Sequence, residues 1–341
     1  MRKLSHIFLN FVLAVTAVLF CSACDKEGVA AGGSSRVWMT FVADTPSTRS
    51  GISDAEGVVK SLDVLVFRAS DGVLDASSRS EGTGSVSVSL SSGLVMHYYV
   101  FANMPDGALD SFLSEEALLS SLTRLTDLPS CGFIMRGAGT VRVGDDDVTI
   151  PVNLDRFACK VSVDGVKVLW LDSFSSKPEV TLGRVALVNV VGSTPLSGSP
   201  AVGDIWYNRM AVESGLDAGV SELLVSDVGM PVTGSGQVSL SCPLYSLPNP
   251  TDNGVNSSNA PSWSPRNTRV ALELIVDGES NWYPVDLPAM RCNRHYVITN
   301  MTILGPGSNS PDIPVSRSDV DFDISVKDWE TIPTPVAFDV G

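Results

Sequence analysis

Hydrophobic and polar residues alternate along much of this chain, most regularly at 85–90, where Val86, Val88 and Leu90 share one face and Ser85, Ser87 and Ser89 the other. That period of two predicts half-buried strands. Similar runs occur at 37–42, 61–67, 98–102, 148–154, 159–163, 185–191, 238–242, 269–276, 296–303 and 321–327. Asp71-Gly72, Pro105-Asp106-Gly107 and Asp277-Gly278 separate them as turns. One stretch has helical spacing instead: Ser114 offers an N-cap hydroxyl, Glu115 and Glu116 suit the positive end of the dipole, and Leu118, Leu122 and Leu125 form one apolar face. Leu113 and Leu118 stand at the two positions of a hydrophobic staple. Residues 247–265, rich in Pro, Asn and Ser, read as a long surface loop. Many strands, few helices and frequent turns predict an all-β chain of sandwiches, with one short helix packed on a sheet in the N-terminal part.

The first apolar run has a different character. Arg2 and Lys3 precede the stretch 7–20, which is too short to span a bilayer comfortably, and Ser22, Ala23 and Cys24 close it. A small-small-Cys triplet in this place predicts a bacterial lipoprotein signal peptide over 1–23, with Cys24 the lipidated first residue of the mature chain. Cleavage before Cys21 would put bulky Leu19 and Phe20 in a pocket that needs small residues. A transmembrane anchor is the alternative, and no stop-transfer pattern follows. The rest of the chain is thus expected to be exported and membrane-tethered.

Loss of the leader lowers the basic count from 23 to 21 against 38 acidic residues, taking the formal charge from −15 to −17. So acidic a surface repels nucleic acid and anionic headgroups. The 341 residues allow two domains. Enzyme readings find little support: the mature chain keeps only His97 and His295, both in strand-like settings. The glycine pairs at Gly82, Gly137, Gly234 and Gly305 lack phosphate-loop spacing and read as turns, and Asp145-Asp146-Asp147 lacks the spaced ligands of an EF-hand and reads as a hairpin turn. No metal or cofactor is expected. Trp206, Trp263 and Trp282 could form a sugar platform, although core or loop packing is the commoner use of such residues. Outside Cys21 and Cys24, the cysteines are Cys131, Cys159, Cys242 and Cys292. Export permits disulfides, while buried free thiols suit a chain of this size equally well. If the domains divide near Asn153, Cys131–Cys159 and Cys242–Cys292 are the least demanding pairings.

Both ends carry distinctive patterns. The amphipathic run 37–42 is followed by Thr45-Pro46-Ser47-Thr48-Arg49-Ser50-Gly51, a polar loop in which Arg49 is either a solvated arginine or the target of an Arg-specific protease cutting before Ser50. At the other end Phe322, Ile324 and Val326 alternate with polar residues, and Val336, Phe338 and Val340 repeat the alternation beyond Pro333 and Pro335. A removable first strand and a terminal strand are what exchange between subunits requires.

These features together resemble the fimbrillins of Bacteroidales, the lipoprotein-derived subunits of type V pili. The resemblance runs in order through the lipobox at Cys24, the strand 37–42, Arg49, the run 59–67 and Tyr99-Val100-Phe101-Ala102-Asn103 before a short helix. It continues through the junction 153–161, Asn293-Arg294-His295-Tyr296-Val297-Ile298, Gly305-Pro306-Gly307-Ser308 and Val326-Lys327-Asp328-Trp329. Two departures are Tyr245-Ser246-Leu247-Pro248-Asn249, where relatives often carry Tyr-x-x-Glu-Asn, and Cys292, which separates an arginine from the Asn293 motif. The resemblance implies two tandem transthyretin-like β-sandwich domains, 50–153 and 154–341, after a lipidated propeptide 24–49. It implies a non-catalytic, adhesive subunit of an outer-membrane fimbrium, acylated (palmitate among its chains) before an Arg-specific protease cuts after Arg49. Its partners would be other fimbrial subunits, and Phe322, Ile324, Val326, Val336, Phe338 and Val340 are the donor-strand candidates. A monomeric glycan-binding surface lipoprotein is the alternative from another class.

Overall fold

The computed structural model describes residues 36–44, 54–82, 84–169, 178–234 and 236–329. In the first half the strands are β1 (Arg36–Asp44), β2 (Ser61–Arg68), β3 (Leu74–Glu81), β4 (Ser85–Ser91), β5 (Val95–Ala102), β6 (Leu122–Arg124), β7 (Met135–Arg142), β8 (Val148–Asn153) and β9 (Asp155–Arg156). The second half holds β10 (Cys159–Val163), β11 (Gly165–Val168), β12 (Val180–Val188), β13 (Val190–Val191), β14 (Ser193–Pro195), β15 (Trp206–Tyr207) and β16 (Val225–Pro231). It ends with β17 (Val238–Ser239), β18 (Leu244–Ser246), β19 (Arg269–Val276), β20 (Glu279–Asp286), β21 (Arg294–Ile303) and β22 (Val320–Asp328). The helices are short: α1 (Glu115–Ser120), α2 (Leu128–Cys131) and α3 (Ala218–Leu224). The all-β expectation is borne out.

Two sheets face each other in the first half, ordered β4-β1-β8 and β3-β2-β5-β7-β9. The apolar run 64–67 within β2 reflects a strand covered on both sides. Leu62, Val64 and Val66 lie in the core shared with β1, while Leu65 and Phe67 pack on the opposite face with Leu118 of α1. In the second half a sheet ordered β17-β11-β21-β10-β18, with β22 along the free side of β21, packs on β16-β12-β19-β20. Its apolar core runs without a break into the layer beneath β2 and β5. The chain passes between the halves at one place: β8 ends at Asn153 in one sheet, β9 joins the facing sheet, and β10 opens the next sandwich.

Several local expectations are corrected. Ser114 does cap α1, its Oγ accepting from the Ala117 N–H at 3.3 Å, but the helix ends at Ser120 and Leu122 belongs to β6, which pairs with β14. The staple is not formed, since Leu113 is 71% exposed while Leu118 is buried. Gly137 and Gly139 lie inside β7 and not in a turn. Each is small for a reason: a Cβ at Gly137 would sit 2.3 Å from Val152 Cγ1, and one at Gly139 would sit 2.4 Å from the Tyr98 hydroxyl. Asp145 to Asp147 connect two different sheets, so they form no hairpin. The loop 247–265 is irregular as expected, yet its root is buried at Leu247 and Asn249.

Candidate functional site

The strand β1 occupies the centre of its sheet. It runs antiparallel to β4, from Arg36↔Ser91 to Val42↔Ser85, and parallel to β8, from Met39↔Val148 to Asp44↔Asn153. Among the described residues, β4 and β8 have no other ladder partner in that sheet. The alternation read from the sequence is seen directly: Val37, Met39, Phe41 and Ala43 are buried against Leu62, Val64, Val66, Val100 and Ala102, while Trp38 is 56% exposed on the outer face. Burial of Val37, Met39 and Phe41 stabilises the seat by about 1.5–3 kcal/mol each.

Polar contacts fix the register of β1. Arg36 Nη2 donates to the Ser89 carbonyl at 2.7 Å, and Thr40 and Ser87 share a hydroxyl hydrogen bond of 2.8 Å. Asp147 Oδ1 accepts the Trp38 N–H at 2.9 Å, so a side chain continues the hydrogen bonding one residue before β8 begins. Asp147 was expected only as a turn residue, and this contact could not be read from its place in an acidic triplet. Arg49 and Ser50, like Cys24, lie outside the described residues.

At the other end, β22 pairs antiparallel with β21 from Arg294↔Asp328 to Ile303↔Val320. Phe322 and Ile324 are half-buried against the core. Val326 is 49% exposed, so it does not share their buried setting. Val336, Phe338 and Val340 lie outside the described residues.

Beside the end of β22 a buried carboxylate gathers the elements of the junction. Glu56 sits in the short turn Asp54–Gly57 that resumes the chain after β1. Its Oε1 accepts from Lys160 Nζ at 2.7 Å and the Tyr245 hydroxyl at 2.6 Å, its Oε2 from Trp329 Nε1 at 3.0 Å, and its carbonyl from Arg156 Nε at 3.0 Å. Trp329 is enclosed by Tyr245, stacked at 5.7 Å, by Phe133 edge-on at 5.1 Å, and by the Arg156 guanidinium 4.7 Å above the ring. Burial alone would raise the Glu56 pKa, but the hydrogen bonds from Lys160, Tyr245 and Trp329 and the Lys160 charge hold it below its usual value. No periodicity singles out Glu56 in the sequence.

The remaining candidates occupy structural positions. Cys131, Cys159, Cys242 and Cys292 are free thiols, so neither of the two pairings is formed; Cys159 Sγ donates instead to the Arg291 carbonyl at 3.0 Å. His97 Nδ1 lies 3.0 Å from the Glu115 carboxylate, and His295 Nε2 lies 2.9 Å from Ser162 Oγ. Trp206 and Trp282 are buried, and Trp263 packs edge-on against Trp206 at 5.3 Å beneath the Arg266 guanidinium. They form no open platform.

Residues 36–141 match the family model of the major fimbrial subunit protein, a stretch that begins with β1 and ends within β7. No curated protein matches the chain. Among solved structures it is similar to a fimbrilin from Porphyromonas gingivalis, at 14% identity and a TM-score of 0.63 over 87% of this chain and 99% of that one. It is similar also to a protein described as a cell adhesion protein from Bacteroides eggerthii, at 16% identity and a TM-score of 0.63 over 86% of this chain and 96% of that one. A protein described as a cell adhesion protein, from Parabacteroides distasonis, matches at 16% identity and a TM-score of 0.61, over 86% and 99% of the two chains. The resemblance to fimbrillins drawn from the sequence is borne out, by sequence over the matched stretch and by fold across both sandwiches.

Proposed function

We propose that this chain is a structural, non-catalytic subunit of an adhesive cell-surface fimbria, exported as a lipoprotein anchored through Cys24 and joined to its neighbours by strand replacement. In this reading an Arg-specific protease cuts after Arg49, β1 departs, and a terminal strand from the next subunit fills the vacancy. The donor comes from the segment that holds Phe322, Ile324 and Val326 and continues to Val336, Phe338 and Val340. Because β22 is already paired along β21 in its own subunit, the donor role is assigned to the later residues.

The observation that carries this reading is the central place of β1. An edge strand can leave a sandwich at little cost, but removal of a central strand strips two neighbours of their ladder and uncovers a row of apolar pockets at once. Such a vacancy is stable only when refilled, and one alternating strand satisfies backbone and pockets together. Deletion of the tail from Pro333 should leave β22 and the fold intact yet block incorporation, and Arg49→Ala should block it by keeping the groove full. SDS-resistant ladders of normal length from both variants would overturn the reading.

A further inference from the structure

Glu56 joins the two ends of the molecule that strand replacement would use. One end is the root of a groove wall. β8 lies along β1 as far as Asn153, and two residues later β9 pairs with Met135 and Arg136 of β7. Arg156, at the end of β9, is buried and donates to the Glu56 carbonyl at 3.0 Å. Neither the pairing of β9 nor the Arg156 bond involves β1. The other end is the root of the C-terminal tail. Trp329 follows β22 directly, donates its backbone N–H to the Asn293 carbonyl at 3.0 Å, and donates its indole N–H to the Glu56 carboxylate. Asn293 in turn donates to Asp155 at 2.8 Å, which closes a circuit between the two roots.

The position of Glu56 in the chain matters as much as its contacts. It lies after Arg49, so it remains with the body when the segment before Ser50 is removed. Resting on the strand-replacement reading above, we propose that Glu56 is a positioning residue for subunit joining, holding the end of the acceptor wall through Arg156 and the start of the donor tail through Trp329. After β1 leaves, β8 loses its ladder, but its C-terminal continuation stays fixed at the same place and spacing. The tail likewise leaves from a fixed point, which lowers the ordering cost of docking.

Directional mixing tests this. A donor carrying Arg49→Ala keeps its own groove filled and offers only a tail; an acceptor cut after Arg49 and deleted from Pro333 offers only a groove. The pair can form one dimer and no polymer. Loss of a hydrogen bond to a charged group is expected to slow the affected step about tenfold. Trp329→Phe, which keeps the aromatic packing and removes the indole N–H, should slow dimer formation when placed in the donor and leave the acceptor unchanged. Glu56→Gln, which weakens the Trp329 tie but keeps the backbone carbonyl that Arg156 uses, should slow the donor role, and Arg156→Met, which removes that second tie, should slow the acceptor role, an asymmetry that a general loss of stability would not produce. Equal rates for all folded variants overturn the proposal. If wild-type donor and acceptor form no dimer, strand replacement itself fails and this role falls with it. Should a variant not fold, hydrogen exchange on the wild type decides: after cleavage 148–153 should lose protection while 155–156 and 329 keep it, and free exchange at 155–156 contradicts the role.

Discussion

Phe41 on β1 and Tyr98 on the facing sheet pack their rings 5.0 Å apart, tilted by 49°, joining the strand assigned for removal to the sheet that stays. Phe41 is fully buried, and Tyr98 lies against Gly139, where no side chain intervenes. Phe41→Ala should therefore destabilise the uncut protein by about 3–5 kcal/mol, as large-to-small changes at buried aromatics do. After removal of the segment before Ser50 the same substitution has no residue left to act on. Urea denaturation of the precursor measures the loss, and a change under 1 kcal/mol would show that β1 is not seated as described.

Asp312 is buried between two buried arginines. Its Oδ2 accepts from Arg266 Nη1 at 2.7 Å and from the Ser257 hydroxyl at 2.6 Å, while its Oδ1 accepts from Asn189 at 2.7 Å and from Arg269. Arg269 also donates to the Val255 carbonyl at 2.9 Å and Arg266 to the Ser262 carbonyl at 3.1 Å, so the ion cluster pins the loop 247–265 to the second sandwich. Asp312→Ala leaves both guanidiniums buried without their shared anion and should cost about 3–5 kcal/mol. The loop should become the first site of limited proteolysis, and an unchanged melting temperature would contradict this.

Burial, and then the Lys160 charge, push the His295 imidazole down to about 4 from an ordinary 6.5. The unfolded chain thus binds this proton at a higher pH than the native one. The stability this group confers is full above about 6.5 and is lost as the pH falls toward 4. His295→Gln, which retains a partner for Ser162, should flatten that part of the pH profile in urea denaturation. An identical slope in the variant would rule out His295 as its source.

The four cysteines outside the leader and the lipobox should all take alkylating reagent in denatured protein without reductant, because each is a free thiol. In the native state Cys159 and Cys292 should react slowly, since burial pushes the Cys159 thiol well up and the Cys292 thiol to about 11. Fewer than four labels after denaturation would reveal a bridge.

How much of this was legible in the sequence differs between elements. The predicted strand 269–276 coincides with β19, and β1, β2, β4, β10 and β22 are found where alternation or continuous apolar runs place them. The strands β3, β7 and β20 carry weaker patterns: β3 is mostly serine and charge, β7 holds two glycines that let neighbours approach, and β20 contains Asn281 and Pro284. Their place in the sheet comes from pairing with distant strands, which no local window records. The same limit applies to the site. The buried face of β1 could be read from residues 37–43, but its central position depends on β4 and on β8, far along the chain. Glu56 carried no local signal because its partners, Arg156 and Lys160, then Tyr245, then Trp329, come from three stretches far from it in the chain.

The identity of the first residue in assembled subunits tests the central claim most directly. Peptide mass spectrometry of SDS-resistant ladders sheared from the cell surface should find subunits that begin at Ser50 and contain no peptide from 36–44. Ladders whose subunits still carry Val37 to Ala43 would mean that the groove is never vacated, and would contradict assembly by strand replacement.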